Sequence, residues 1–326
     1  MKKPFIFYIL TFIFCLYGSW LSGQGYQALH GSLYAGSTRS FNNPASPINS
    51  AYRWDLTLIS TELTMSTNAV YLQNFSLANQ DSSKLTLKDG YNSRFMYMNA
   101  DVSFFNFLYK IDNDKAVNIN FRGRTYNHVQ TLPFSFADAT VTSLNRFLVA
   151  NRNTAYIEAF TTHSGWLEAD LNYSQVLSET NGSKLSGGIT LQIMKGISGA
   201  FFKMNKVSYL EQKNGVDTSY TFTNGNASYG YSDNYDGSTD AKDFIKQSRT
   251  ALGLSLGIEY LLYNTETNQA TGNNNLNYDW KIGVSLMDLG ANSFRASQYS
   301  GQFNDPNAAV SDAQLEAKLT GATDIR

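Results

Sequence analysis

The sequence predicts an all-β protein, more specifically an antiparallel transmembrane β-barrel of the outer membrane. The first observation is strand periodicity between Thr250 and Gly290, where large apolar residues occupy every second position of two runs. The second is length, since each run has about 12 residues, whereas soluble strands most often have about 5 to 6 and tilted membrane strands need about 9 to 11. The third is composition, because only 16% of residues are charged, against about 25% in typical soluble domains.

The alternation gives each strand one apolar face and one small or polar face. The apolar positions of the two runs are Leu252, Leu254, Leu256, Ile258, Tyr260 and Leu262, then Tyr278, Trp280, Ile282, Val284 and Leu286. A mean hydropathy of -0.30 excludes a bundle of apolar helices but fits a barrel that faces lipid outside and a polar lumen inside. A soluble β-sandwich is the alternative, in which the same apolar and aromatic residues would form a core.

Charge and side-chain chemistry exclude several functions. The 25 basic residues nearly balance 26 acidic ones, so no nucleic-acid partner is expected. His30, His128 and His163 are widely spaced, and the single cysteine, Cys15, lies in the apolar run at the start. No motif for a zinc site or a catalytic triad is present. The protein is therefore predicted not to be an enzyme and to use no cofactor or metal.

The first 50 residues predict an export signal followed by an irregular segment. Lys2 and Lys3 precede an apolar run that ends at Leu21 and is followed by small and polar residues. Residues 1–23 are expected to be a signal peptide, with a signal anchor as the alternative, because the run is nearly long enough to span a bilayer. Residues 24–50 are expected to be irregular, because their prolines exclude a regular strand. Export of a barrel implies the outer membrane of a Gram-negative bacterium.

Residues 51–290 are predicted to contain the barrel strands. The alternation indicates about seven spans, which start near residues 52, 94, 115, 166, 184, 249 and 277, although a bacterial barrel should have an even number. Short turns are predicted at 110–115 and 181–182, and long loops at 67–93, 125–165 and 211–247. Residues 291–326 are predicted to be a polar loop or a truncated end of the barrel. Either a fragment or an incomplete barrel is therefore expected.

Two glycines, Gly196 and Gly199, interrupt the strand that starts near residue 184. They mark either a turn followed by another span or a kink within one long strand. A kink keeps the short turns on one side of the membrane and the long loops on the other, as in outer-membrane barrels. The two glycines are therefore candidates for a strand kink.

Charged residues on the polar faces of the predicted strands are the candidates for a lumen site. They are Arg53, Asp55, Arg122, Arg124, Glu168 and Asp170. Arginine facing lipid at the midplane costs about 2–4 kcal/mol, so these side chains are expected to face the lumen. There they either orient a solute or pair with one another across strands. A surface enzyme is a third alternative, with Glu168 and Asp170 as its candidate residues.

Three stretches carry a resemblance: Asn43-Pro44-Ala45, Tyr52 to Leu56, and Trp280 to Gly290. With them, residues 24–290 resemble a family of uncharacterised outer-membrane proteins from Bacteroidota, more distantly similar to FadL-like fatty-acid transporters and to PorV-like barrels of type IX secretion. The resemblance implies that the N-terminal residues 24–50 form a plug-like segment folded into the lumen, and it places Asn43, Pro44 and Ala45 in that plug. In FadL-like proteins a strand kink opens a lateral exit for apolar cargo, and Gly196 to Gly199 would be the counterpart.

Two classes of function are predicted. The first is an outer-membrane barrel that passively transports or binds a small apolar solute, with outer-membrane lipid around it. The alternative is a structural or secretion-associated barrel, type IX-like, whose long outer loops bind protein partners.

Overall fold

The computed structural model describes most of the chain after residue 29. The described residues are 30–32, 34–74, 76, 83–136, 144–215, 217–236, 245, 248–263, 278–304, 309–311 and 313–314. The predicted signal peptide, residues 1–23, and the start of the predicted plug-like segment lie outside them.

Most of the described residues are in β-strands. The strands are β1 Trp54–Thr57, β2 Ser60–Thr67, β3 Val70–Gln73, β4 Lys84–Leu87, β5 Gly90–Asn92, β6 Phe95–Lys110, β7 Lys115–Thr131, β8 Phe134–Phe136, β9 Ile157–Thr180, β10 Ser183–Asn214, β11 Asp217–Tyr231, β12 Arg249–Leu262, β13 Trp280–Gly290, β14 Gly301–Asn304 and β15 Ala309–Ser311. The helix α1 spans Leu144–Asn151, and 3-10 helices span Gly36–Phe41, Ser46–Asn49 and Asp233–Tyr235.

The strands form one large antiparallel sheet and two small two-stranded sheets, which confirms the all-β prediction. β1 and β2 pair with one edge of β6, and the sheet continues through β7 and β9 to β10. At the other edge β12 pairs with β13, and β11 pairs with β14 and β15. Over the described residues the sheet does not close on itself.

β10 is a single strand of 32 residues that changes partner halfway along one edge. Its first half, Ser183 to Gly196, pairs with β12, and its second half, Ala200 to Asn214, pairs with β11. On the opposite edge β9 pairs with both halves, and the register shifts between Gly196 and Ser198. The predicted interruption at Gly196 and Gly199 is therefore a bulge in one long strand, not a turn.

The strand β11 lies in a range that the sequence predicted as a loop, 211–247. Its Asn, Ser and Gly residues disfavour a strand, and in the local sequence they obscure the aromatic and β-branched residues that favour one. Pairing with β10 decides its conformation, and Gly225, with φ +118°, accommodates a register irregularity opposite Lys206 and Val207. The predicted loop 125–165 is also partly regular, because it contains the end of β7, the helix α1 and the start of β9.

Burial across the main sheet is the reverse of that in a soluble protein. On β12, Leu252 and Ile258 are 73% and 54% exposed, whereas Ser255 and Glu259 are fully buried. β7, β9 and β10 show the same inversion, with buried Asn118, Asn120, Arg122, Glu168, Asp170, Asn172, Ser186, Thr190 and Gln192 and exposed Ile119, Phe121, Leu171, Ile189, Leu191 and Ile193. Soluble proteins bury apolar side chains and expose charge. The apolar face is thus uncovered, which is opposite to the burial expected of a soluble sandwich.

A small apolar core lies where α1 packs on β9, β10 and β11, at the end of these strands away from the Asn181-Gly182 turn. Leu148 of α1 and Ile157 of β9 pack with Tyr209 of β10 and Tyr220 of β11. The Tyr209 hydroxyl donates to the Leu148 carbonyl at 2.6 Å. In the part of the chain that the structure covers, no helix combines the length and apolar character needed to cross a membrane.

Candidate functional site: the polar face and the docked segment

The polar face of the sheet is covered by residues 36–50, called here the docked segment. It consists of the 3-10 helices Gly36–Phe41 and Ser46–Asn49, and Pro47 lies in the first turn of the second. Between them, the side chain of Asn43 accepts a hydrogen bond from the Ala45 amide at 2.9 Å and closes a local turn. The predicted plug residues Asn43, Pro44 and Ala45 are all buried in this turn.

A buried carboxylate on β12, Glu259, binds the docked segment to the sheet. We call Arg39, Ser46, Asn49, Glu259 and Lys281 the Glu259 cluster. The Ser46 hydroxyl and the Asn49 amide, at 2.9 Å, donate to the two carboxylate oxygens. Lys281 Nζ lies 2.9 Å and Arg39 Nη2 3.7 Å from them. One fully buried anion thus holds two cations, one from β13 and one from the docked segment.

Among the described residues, Arg39 is one of the largest side chains that are fully buried. Burial lowers the pKa of its guanidinium, and the Glu259 carboxylate acts against that shift. An arginine pKa starts so far above neutrality that the side chain stays charged. Arg39 also donates to the Asn49 carbonyl at 2.6 Å, which links the two 3-10 helices. The segment therefore carries a fixed positive charge into the sheet.

Asparagine side chains and two glycines fit the backbone of the docked segment to the sheet. Asn43 donates to the Ile258 carbonyl at 3.0 Å, and Asn172 donates to the Pro44 carbonyl at 3.0 Å. A Cβ at Gly188 would overlap the Pro44 carbonyl, and one at Gly257 would overlap the Asn43 side chain. Both positions therefore need glycine, because the Pro44 backbone lies directly on Gly188 and the Asn43 side chain lies directly on Gly257.

We expect Gly188→Ala to loosen the docked segment, because the added methyl group and the Pro44 backbone cannot occupy the same space. Trypsin cleavage after Arg39, which is buried in the folded protein, measures the release and should become at least about tenfold faster, equivalent to about 1.4 kcal/mol. Gly187→Ala is the matched control, since its Cβ would meet only the Leu177 side chain. Equal cleavage rates in the two variants would contradict the close fit.

A second charged group lies further along the same face. It contains Asp101, Arg122, Arg124, Glu168, Asp170 and Asp288, and we call it the Arg122 cluster. Arg122 contacts Glu168 directly and lies 3.4 Å from Asp170 and 3.3 Å from Asp101. Arg124 lies 3.0 Å from Asp288 and 3.5 Å from Glu168. The Arg122 guanidinium also stacks on Phe41 of the docked segment, 4.6 Å from the ring centroid.

The structure brings together four of the six charged residues that the sequence proposed. Arg122, Arg124, Glu168 and Asp170 pair with one another across β7 and β9, the second of the two arrangements left open. Asp55 lies elsewhere on the face and accepts a hydrogen bond from the Ser37 amide at 2.7 Å. Arg53 precedes β1, is exposed, and takes no part in the ion pairs of the described residues.

The candidate kink residues are covered on one face by an aromatic ring. A Cβ at Gly199 would lie 2.6 Å from Phe294 Cγ, and one at Gly196 would lie 2.9 Å from Phe294 Cε1. Phe294 follows β13 and fills the place where β10 changes partner. The Phe294 ring therefore packs directly against the backbone of the bulge at Gly196 and Gly199, which carry no side chain.

Sequence reasoning missed the Glu259 cluster. Glu259 is the only charged residue on the small-residue face of its run, between Gly257 and Leu261. A lone carboxylate among Gly and Ser on a strand is a signal for a buried counter-ion. Its partners Arg39 and Lys281 are distant in sequence, so the pairing itself needs the fold.

Two grooves lie where β10 and β11 extend beyond β12. One, of about 590 Å³, is lined by residues that include Phe201, Tyr229, Tyr231 and Phe294. The other, of about 320 Å³, is lined by apolar side chains and backbone and includes Met204, Val207, Phe222, Ala227 and Phe303. Their linings suit an apolar group.

The fold and this face define a class: antiparallel all-β proteins with a buried polar face, here occupied by a segment of the same chain. Residues 44–323 match the model of a family of unknown function, DUF5723. The chain belongs to this family. No curated protein and no solved structure matches it. The family carries no assigned activity, so the likeness to fatty-acid-transporter-like barrels stays a prediction.

Proposed function

We propose that the protein is an outer-membrane β-barrel whose docked segment plugs the lumen and which binds or passes a small apolar solute. The observation that carries the proposal is the reversed burial of the main sheet, with Leu, Ile and Val outside and charge inside. Hydrocarbon is the environment in which such a surface is stable, since lipid-facing strands alternate apolar-out and polar-in.

The height of the apolar face fits a membrane. On β12 it runs from Leu252 to Leu262, and these ten residue steps correspond to about 34 Å along the strand at about 3.4 Å per residue. A strand tilted by about 35–45° crosses about 24–28 Å of membrane with that length. Paired apolar residues continue the band sideways, as in Leu191 opposite Leu254 and Leu171 opposite Ile119. An outer-membrane barrel has an apolar band about 25 Å tall. The proposal requires the edges at β2 and β13 to be paired in the membrane, because unpaired backbone in lipid costs several kcal/mol per group.

The solute part of the proposal rests on the smaller groove between β10, β11 and β14. We expect Ala227→Trp to fill this groove and to weaken binding of an apolar fluorescent probe at least about tenfold, or about 1.4 kcal/mol. Titration of the purified protein in detergent measures the probe affinity. Leu210→Trp is the control, because Leu210 is exposed on the neighbouring strand β10 and does not line the groove. Unchanged affinity in Ala227→Trp would remove this groove as the solute site.

The membrane part is tested by partitioning. The purified mature protein should need detergent to remain monodisperse and should insert into phospholipid vesicles so that alkaline washing does not remove it. A monomer that stays dissolved without any surfactant would refute the membrane location.

A second function is favoured by the length of β9 to β11. β10 has 32 residues, whereas a tilted strand crosses a bilayer with about 9–11. Much of β9, β10 and β11 would then project from the membrane and offer a surface to a protein partner. A partner that co-purifies from native membranes and is lost in Tyr299→Ser, at an exposed aromatic of this region, would support this function.

A further inference from the structure

Three side chains that are distant in sequence form a hydrogen-bonded chain at the bulge of β10. His163 Nε2 lies 2.7 Å from Ser198 Oγ, and His163 Nδ1 lies 2.7 Å from Asn127 Oδ1. A hydroxyl, an imidazole and an acceptor that orients the imidazole are the parts of an activated serine nucleophile. Both distances lie within the range of 2.6–3.2 Å that such a site requires.

The hydrogen-bond partners fix the direction of each bond. Asn127 Nδ2 donates to the Met98 carbonyl at 3.0 Å, so Asn127 Oδ1 faces His163 as an acceptor. His163 Nδ1 must then carry the proton, and in the neutral ring Nε2 is an acceptor. The Ser198 hydroxyl therefore donates to Nε2, and Tyr235 donates its own hydroxyl proton to Ser198 Oγ at 2.8 Å. This is the tautomer in which imidazole acts as a general base toward serine.

The hydrogen-bonded side chains of Asn127, His163 and Ser198 lie on the apolar face of the sheet, opposite the docked segment. On β7, a Cβ at Gly123 would point at the apolar side chains of Leu167 and Phe104. Side chains two residues apart in a strand share a face, so Thr125 and Asn127 lie on this apolar face as well. A Cβ at Gly165 would point at Thr125, Ser198 and His163. Ser198 pairs with Gly165, two residues or about 7 Å beyond Leu167 at the end of the apolar band. In the proposed membrane this depth is the headgroup layer.

We propose that Ser198, His163 and Asn127 form an ester-hydrolysing site for acyl esters of membrane lipids. The choice of a lipid ester rests on the proposed function, because the location in the headgroup layer follows from it. Ser198 and His163 are the catalytic residues, and Asn127 is a positioning residue that holds the imidazole. The Tyr235 hydroxyl lies 2.8 Å from Ser198 Oγ, close enough to turn its hydrogen bond to the oxyanion once Oγ has attacked.

The reaction balances with water as the only co-reactant. Ser198 Oγ attacks the acyl carbon while its proton moves to His163 Nε2. The carbon–oxygen bond to the lipid alcohol then breaks, and the alcohol leaves with that proton. Water attacks the acyl-serine, gives a proton to Nε2, and releases the fatty acid as Ser198 regains its hydroxyl proton. The net change is one ester and one water to one acid and one alcohol.

The activated serine is tested with a fluorophosphonate, which phosphonylates nucleophilic serines and loses fluoride. Full-length protein in detergent is labelled and digested, and mass spectrometry locates the adduct. We expect an adduct on Ser198 that is lost in Ser198→Ala, slowed about 100-fold or more in His163→Gln, and retained in Ser208→Ala. Ser208 is the control because its hydroxyl, on the same strand, donates to the Ala155 carbonyl. Wild-type protein with its β-sheet circular dichroism intact but without this adduct would overturn the proposal.

The role of Asn127 has a separate test. Asn127→Asp keeps an acceptor for His163 Nδ1 and should retain labelling within about tenfold, whereas Asn127→Leu should slow it about as much as His163→Gln. Equal rates in the two variants would overturn the positioning role, since a merely structural role would not discriminate between them.

The substrate class is tested with two esters. Fatty acid released from phosphatidylethanolamine vesicles should appear with the wild type and not with Ser198→Ala. Hydrolysis of 4-nitrophenyl butyrate without release of fatty acid would overturn the lipid assignment. A labelled protein that stays monomeric without surfactant would refute the membrane function and leave the activated serine in place, so the two failures are distinguishable.

Discussion

Replacing Glu259 by alanine is expected to destabilise the protein by about 3–5 kcal/mol, because it leaves Arg39 and Lys281 without their shared counter-ion in a buried site. The Ser46 and Asn49 side chains also lose their acceptor. Urea unfolding from vesicles should show the loss as a lower midpoint. Trypsin should cleave after Arg39 more than about 100-fold faster, since about 3 kcal/mol corresponds to that factor.

Two further variants separate charge from shape at this site. Glu259→Gln keeps the volume of the side chain and should still cost most of the same free energy if the charge is what holds Arg39 and Lys281. Glu179→Ala removes an exposed carboxylate from the end of β9 and should change stability by no more than about 0.5 kcal/mol. If Glu259→Ala unfolded like Glu179→Ala, the docked segment would not depend on the Glu259 cluster.

Leu191→Arg is expected to destabilise the vesicle-embedded protein by about 2 kcal/mol, because Leu191 lies opposite Leu254 inside the proposed lipid-facing band, and the cost of about 2–4 kcal/mol for Arg at the midplane falls toward the interfaces. In water the same change would cost little, since Leu191 is 53% exposed and surface substitutions usually stay within about 0.5 kcal/mol. The free energy of unfolding in vesicles therefore measures the environment of this face.

Leu210→Arg is the matched control, on the same strand and with nearly the same exposure, 57%. The two leucines are nineteen residues apart, or about 63 Å along a strand at about 3.3 Å per residue. Hydrocarbon about 30 Å thick cannot hold both. A small effect at Leu210 with a large one at Leu191 is expected, whereas two small effects would argue that water wets the whole face.

The alternation of apolar and polar residues predicted strands correctly where the two faces differ strongly in polarity. β12 and β13 follow the pattern Leu252 to Leu262 and Trp280 to Leu286, and β10 begins at the predicted hairpin Asn181-Gly182. The sequence predicts a loop in place of β11, because the polar residues of this strand obscure the two-residue alternation. Pairing with β10 makes this segment a strand. Closure of the sheet, in contrast, depends on pairing between distant edges, which no local pattern encodes.

The candidate sites divide in the same way. The charges Arg122, Arg124, Glu168 and Asp170 were found because a period of two places them on one face. Ser198, His163 and Asn127 were not found, because the spacing of the histidines excludes only motifs that are local in sequence. Three antiparallel strands in one register bring these residues together.

By itself the sequence determined the all-β class, most of the long strands and the side of each strand that carries the charge, because these depend on residues two apart in one strand. Only the tertiary structure decided that the docked segment covers the charged face, that Glu259 binds Arg39 and Lys281, and that β10 exchanges β12 for β11. Each of these joins residues far apart in the chain, so its free energy depends on strand register and burial, which exist only once the sheet has formed.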